Sequence, residues 1–121
     1  MPRDHSYFWG YKSEKGEDAA VGYNRNLPLP IGSDDAPYLK AVETACHAIR
    51  RFGPRYLIVS AGFDTHANDP IGGFKLSMNV YGEIADLRLP TVICQEGGYN
   101  LKTLGRCVAS FISGFASAAS E

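Results

Sequence analysis

One feature constrains this chain more than any other. Twice, a short apolar run passes directly into a glycine-bearing polar loop, and a helical pattern follows. The first run is Tyr56-Leu57-Ile58-Val59, which leads through Ser60-Ala61-Gly62-Phe63 to Asp64, His66, Asn68 and Asp69 and then a Pro-Ile-Gly-Gly turn. The second is Thr91-Val92-Ile93-Cys94, which leads into Gln95-Glu96-Gly97-Gly98-Tyr99-Asn100. Helical periodicity surrounds both. Ser33, Asp34 and Asp35 offer N-caps and Pro37 suits a first turn. Tyr38, Ala41, Val42, Ala45, Ile49 and Phe52 then recur on one face, until Gly53-Pro54 stops the helix. Ser77 can cap a second helix running to about Leu87, with Val80, Tyr81 and Ile84 inward and Pro90 beyond its end. Asn100 can cap a third, carrying Leu101, Leu104, Val108, Phe111, Ile112 and Phe115. The order helix, strand, helix, strand, helix predicts an α/β fold with a mainly parallel sheet covered by helices. Ligands in such sheets gather outside the carboxyl ends of the strands. Both glycine-bearing loops are therefore expected at one edge of the sheet.

Length and charge narrow the function classes. The 121 residues amount to one domain, read as an irregular lead-in over 1–32 and an α/β core over 33–121. Aromatics crowd the start (Tyr7, Phe8, Trp9, Tyr11), "KSEKGED" is a charged loop, and Pro28 and Pro30 bias Leu27 and Leu29 toward extended backbone. Twelve Lys and Arg against 13 Asp and Glu give a formal net charge of -1, with no basic stripe to bind nucleic acid. No apolar run is long enough for a membrane span, and the first residues lack the apolar core of a signal peptide. Cys46, Cys94 and Cys107 form no CxxC pair. They read as reduced thiols of a cytoplasmic protein, two of them in the core.

The loop residues allow several chemistries. Asp64, rigidly held after a glycine at a strand end, is a candidate metal ligand, although an Asp in this position more often caps a turn. Asp69, before Pro70, reads as a turn residue accepting backbone N–H bonds, and His66 as a solvent-facing loop histidine. Gly97-Gly98 lets the backbone approach a ligand and presents Tyr99, whose phenol can donate to an oxyanion or simply pack at the rim. Glu96 either orients a neighbour or is solvated surface. No HExxH, P-loop, GxSxG or GxGxxG is present.

Taken together, "VSAGFDTHANDPIGGFKLS" and "LPTVICQEGGYNLKTLG" resemble the zinc-dependent histone deacetylase superfamily, closest to acetylpolyamine amidohydrolases and class II-like bacterial deacetylases. The upstream "FWGYKSEKGEDAAVGYNRNLPLPIG" is similar to the family's lead-in, so the resemblance runs from about Tyr7 to Phe115. It implies the arginase/deacetylase fold and hydrolysis of acetylated amines, acetyl-lysine or acetylpolyamine, with zinc as cofactor. It implies that Asp64 is one of three zinc ligands and that Tyr99 is the catalytic oxyanion donor. Gly97, Gly98 and Phe63 are expected to shape the substrate tunnel.

The same resemblance marks what the chain lacks. The family's other two zinc ligands come from an Asp-x-His element and its general acid and base from paired histidines. This chain has only His5, His47 and His66, none adjacent to another; Asp64-Thr65-His66 has the Asp-x-His spacing but lies within the "SAGFD" element and not upstream of it, and Arg3-Asp4-His5 lacks the spacer. The expectation is a C-terminal portion of a deacetylase, beginning at a methionine internal to a full enzyme and inactive by itself. It is expected to form a homo-oligomer or to depend on a complementing N-terminal polypeptide. The alternative is a non-catalytic α/β assembly or binding module derived from the family. "NVYGEIADLRLP" also reaches its proline about one turn early.

Overall fold

The computed structural model describes residues 10–84 and 87–119. Tyr7, Phe8, Trp9 and His5 of the lead-in lie outside the described residues. Between residues 10 and 32 the regular structure is a short 3-10 turn, Asp18–Ala20.

Helix α1 spans Asp35–Phe52. Asp34 stands at its N-cap in extended backbone, without a side-chain cap bond. The Asp35 carboxylate instead accepts the Ser77 N–H at 2.8 Å, tying the helix start to a segment 42 residues away. Gly53 ends α1 in the left-handed region, φ 67°, where its N–H donates to the Ile49 carbonyl at 3.0 Å. A residue without Cβ takes that conformation at no steric cost, so the glycine stop is physical and local.

Strand β1 is Leu57–Ala61 and β2 is Thr91–Gln95, each one or two residues further along than the apolar runs alone suggest. They pair in parallel, Leu57 with Thr91 through Ala61 with Gln95, as the alternation requires. A sheet covered by helices on both faces would bury these strands, and among the described residues this does not happen. Tyr56 is 74% exposed, Ile58 72% and Val92 60%, while of the strand residues Ala61 is buried. In parallel pairing Ile58 and Val92 share a face, as do Ser60 and Cys94. Strands of parallel sheets read as continuously apolar because helices cover both faces. Here nothing among the described residues covers that face. Cys46 and Cys107 are buried and Cys94 is exposed, so two of the three thiols are core.

The second helix is shorter than its pattern. α2 spans Val80–Glu83, Asn79 rather than Ser77 stands at its N-cap, and Leu87 is not helical; residues 85 and 86 lie outside the described residues. The Ser77 N–H donates to the Asp35 carboxylate, ahead of the helix start. α3 spans Leu104–Ala119. Asn100 governs the turn before it: its carbonyl accepts the Thr103 and Leu104 N–H groups, and its side-chain oxygen accepts that of Lys102. Leu101, read as part of this helix, lies before it and is 85% exposed; Ile112 is 52% exposed, whereas Thr103, Cys107 and Phe111 are buried.

The core lies where α2 crosses α3, beneath the end of β1. Leu76, Val80, Tyr81 and Cys107 are fully enclosed. The Phe63 ring stands 5.4 Å from Tyr81 and 5.7 Å from Phe111, centroid to centroid, and Phe111 continues the stack to Phe115 at 5.0 Å. Enclosing such a side chain contributes about 1.5–3 kcal/mol, and this cluster anchors the loop that follows β1. No described helix is long and apolar enough to cross a membrane.

Candidate active site

The two strand-end loops meet, as the parallel topology requires. The Phe63 N–H donates to the Gly97 carbonyl at 2.8 Å, and the Glu96 N–H to the Ala61 carbonyl at 2.9 Å. These bonds extend the ladder past the strands and set Gly97 beside Asp64. A methyl group on Gly97 would lie 2.5 Å from Asp64 Oδ2, 2.9 Å from its Cγ and 3.4 Å from Cε2 of Tyr99. On Gly62 it would lie 3.0 Å from Asp64 Oδ1. The carboxylate is therefore wedged between two glycines, and the Tyr99 ring borders the same space over Gly97. Larger residues at either glycine would occupy that space.

Among the described residues, no hydrogen-bond donor meets the Asp64 carboxylate. Asp64 is half-buried, so its oxygens keep access to the space over Gly97. An acceptor left open is what a cation needs, and the Asp64 oxygens suit a hard or borderline metal. They amount to one ligand residue. No group of three or more His, Cys, Asp or Glu side chains converges among the described residues. The residues present fit one corner of a metal site and do not fit a whole one.

Asp69 behaves as its position before Pro70 predicts. Its Oδ1 accepts the Ile71 and Gly72 N–H groups at 2.9 and 3.0 Å. Its Oδ2 reaches across to the Tyr99 N–H at 2.7 Å, a contact the sequence did not reveal. Partial burial pushes its carboxyl up, but N–H groups of Tyr99, Ile71, Gly72 and Asn100 outweigh that and hold it below the ordinary carboxylate value. Asn100 adds a second stitch, donating from Nδ2 to the Asn68 carbonyl at 2.7 Å.

Other candidates are placed differently. His66 is not solvent-facing: it is 7% exposed, its backbone bridges to Leu76, and its Nδ1 accepts the Asn68 N–H at 3.2 Å. The bridge to fully enclosed Leu76 draws the ring inside. Phe63, expected in the tunnel wall, is 4% exposed and its ring lies in the core between Tyr81 and Phe111. Its ring joins the core while the neighbouring Asp64 carboxylate lies against Gly97. Gly98 sits at φ 143°, and a methyl there would meet Leu104 Cδ1 at 2.8 Å and Phe63 Cβ at 3.1 Å. Glu96 is exposed, and His47 is exposed on α1.

Behind Asp64 stand two tyrosines. Burial pushes the Tyr38 hydroxyl up, and the negative charge of Asp64 adds to it. Burial pushes Tyr81 up further, against the opposing effect of its 2.9 Å hydrogen bond with Thr65 Oγ1. Neither carries charge at neutral pH. Sequence periodicity marked both as helix-face residues, but their closeness to Asp64 depends on the folded loop.

The chain that carries these two loops is similar to known proteins. The Histone deacetylase domain profile matches residues 4–115. An acetylpolyamine amidohydrolase of Burkholderia pseudomallei is 41% identical over 110 residues, which cover 88% of this chain and 32% of that protein. Acetylpolyamine amidohydrolase 1 of Pseudomonas aeruginosa is 39% identical over 120 residues, covering 96% and 35%. Among solved structures, the acetylpolyamine aminohydrolase from Burkholderia pseudomallei superposes with a TM-score of 0.88 at 38% identity, over 92% of this chain and 34% of that one. The histone deacetylase Clr3 superposes with a TM-score of 0.83 at 29% identity, over 89% and 19%. The chain thus spans about a third of the length of the curated relatives it matches. With the profile covering nearly all of it and the backbone superposing throughout, this chain belongs to the histone deacetylase family, alongside the acetylpolyamine amidohydrolases.

Proposed function

We propose that this chain supplies one side of a zinc-dependent amidohydrolase site that acts on acetylated amines, acetylpolyamine or acetyl-lysine. Asp64 is one metal ligand, and Tyr99 is the donor to the oxyanion. Gly97 and Gly98 leave room for the substrate between them. The observation that carries this reading is the shared space over Gly97, bordered by an open Asp64 carboxylate on one side and the Tyr99 ring on the other. Zinc, when bound, polarises the amide carbonyl and lowers the pKa of its water. The chain's own part is to fix one ligand and to hold a neutral phenol where negative charge develops. One carboxylate does not hold zinc tightly, since a catalytic zinc takes three protein ligands. The remaining ligands and the acid–base histidines therefore come from polypeptide beyond the described residues.

Among the described residues, the uncovered face at Ile58 and Val92 and the unpaired outer edges of the two strands support an assembled state. Such a surface invites a complementing polypeptide or a second copy of the chain. No disulfide joins Cys46, Cys94 and Cys107 among the described residues, which suits a reducing compartment such as the cytoplasm.

The test is turnover of acetylpolyamine and acetyl-lysine peptides with zinc, by the chain alone and by the chain mixed with a polypeptide carrying the Asp-x-His and paired-histidine elements. The chain alone is expected to be inactive and the mixture active. Tyr99→Phe is expected to lower kcat of the mixture by about 100–1000-fold, as loss of an oxyanion donor does. Turnover by the chain alone refutes the incomplete site. An active mixture untouched by Tyr99→Phe refutes the role of the phenol. Failure of any mixture to turn over would favour a non-catalytic module.

A further inference from the structure

Tyr99 follows two glycines, one of them at φ 143°, and its side chain is 51% exposed. Core packing does not fix where its phenol stands, and the bonds of Gly97 and Asn100 hold the backbone on either side without reaching Tyr99 itself. Something else must, if it is to meet an oxyanion within hydrogen-bond distance. Among the described residues, the side-chain acceptor for the Tyr99 backbone N–H is Asp69 Oδ2, at 2.7 Å across 30 residues of sequence. The other oxygen of the same carboxylate accepts Ile71 and Gly72. Gly72 in turn lies so close to the Asp64 carbonyl that a methyl on it would overlap that oxygen. One carboxylate is thus tied through Oδ1 to the turn packed against Asp64, and through Oδ2 to the backbone of Tyr99.

We infer that Asp69 is a positioning residue: it sets the distance between Tyr99 and Asp64 by bonding the Tyr99 backbone to the turn that packs on Asp64. The inference rests on the reading of Tyr99 as the oxyanion donor. A carboxylate is the group this junction requires. Three N–H donors bond it within 3.0 Å, with the Asn100 N–H beside them, and an ionised carboxylate accepts at both oxygens. An asparagine presents an NH2 at one of them, so donor would face donor, either at Tyr99 or at the turn. The short charge-assisted bond is also stronger than its neutral counterpart.

Two measurements test this. The first is amide hydrogen exchange and NOE contacts by NMR on the full chain, wild type and Asp69→Asn. In wild type the Tyr99 N–H is expected to be protected and the Tyr99 ring to contact Gly97. In Asp69→Asn the protection is expected to fall by about tenfold or more and the ring contact to weaken. The second is steady-state kinetics of the zinc-loaded complemented enzyme. There Asp69→Asn is expected to lower kcat on the order of 100-fold, as misplacement by about 1 Å does, with KM changed by less than about twofold. A Tyr99 N–H that exchanges freely in wild type overturns the inference without any variant, so it remains testable should Asp69→Asn not fold. So does an Asp69→Asn enzyme with wild-type kcat where Tyr99→Phe is crippled. If Tyr99→Phe itself retains full activity, the functional reading fails, and the NMR comparison still decides whether Asp69 holds Tyr99.

Discussion

Gly114→Ala should destabilise the protein, although alanine is the better helix former. Gly114 lies on α3 directly against Gly82 of α2. A methyl on Gly114 would overlap the Gly82 carbonyl oxygen and lie 2.9 Å from its carbon and 3.1 Å from its Cα. All three are backbone atoms, so no side-chain rotation relieves the clash and the two helices must separate. The contact is close from both sides, since a methyl on Gly82 would meet Ser110 Oγ at 3.2 Å and its carbonyl oxygen at 3.3 Å. Val80, Tyr81, Cys107 and Phe111 are sealed around this crossing, so separation loosens the centre of the core. Overpacking costs about 1–3 kcal/mol, and the helix-propensity gain returns at most about 1 kcal/mol. The expected net loss is about 1–2 kcal/mol, or a Tm lower by roughly 4–10 °C for a chain of this size. Gly105→Ala on the same helix is the control, because nothing lies within 4 Å of its methyl. It should be neutral or stabilising by a few tenths to about 1 kcal/mol. Urea and thermal unfolding followed by helical circular dichroism measure both. A Gly114→Ala protein as stable as wild type would refute the close-contact argument. An equal loss in Gly105→Ala would show that the contact is not its cause.

Gly97→Ala should spare the fold and damage the site. The new methyl stands 2.5 Å from Asp64 Oδ2, so the carboxylate must retreat about 0.9 Å to reach an ordinary 3.4 Å contact. Metal–ligand distances tolerate about 0.2 Å, so zinc affinity of the assembled enzyme should fall about 10–100-fold, read by chelator competition; unchanged affinity would exclude Asp64 as a ligand. High pH should unfold the protein through its buried tyrosines. Burial raises Tyr81 and Tyr38 in the folded state. The stability this reflects is fully present below the ordinary tyrosine value of about 10 and is lost as pH rises beyond it. Urea midpoints should fall above about pH 10, and Tyr81→Phe should lessen the slope. Ionisation of Tyr81 at the ordinary value with the fold intact, followed at 295 nm, would contradict this.

Much of the architecture was legible in the residues. Apolar spacing and the Gly53 stop give α1, and β-branched runs flanked by glycine loops give the two strands. Their alternation with helices gives the parallel pairing and therefore the meeting of the Asp64 and Gly97 loops. These are local or topological consequences, written in periodicity and turn chemistry. The "SAGFD" and "EGGY" elements marked the family and pointed to Asp64 and Tyr99, because their chemistry sits in side chains at fixed offsets. Other facts required the folded chain. Whether a strand face is covered depends on what packs over it, so Ile58 and Val92 read as buried and are exposed. Ser77 reads as a cap, but α2 begins at Val80 with Asn79 at its N-cap. His66 reads as a loop residue, yet its bridge to Leu76 draws it inside. The bond from Asp69 to Tyr99 joins positions 30 residues apart, and the Gly114–Gly82 contact depends on how two helices cross. Sequence carries what a residue does within its own turn or strand. The partners it meets across the chain are set by chain closure, and closure is a property of the folded whole.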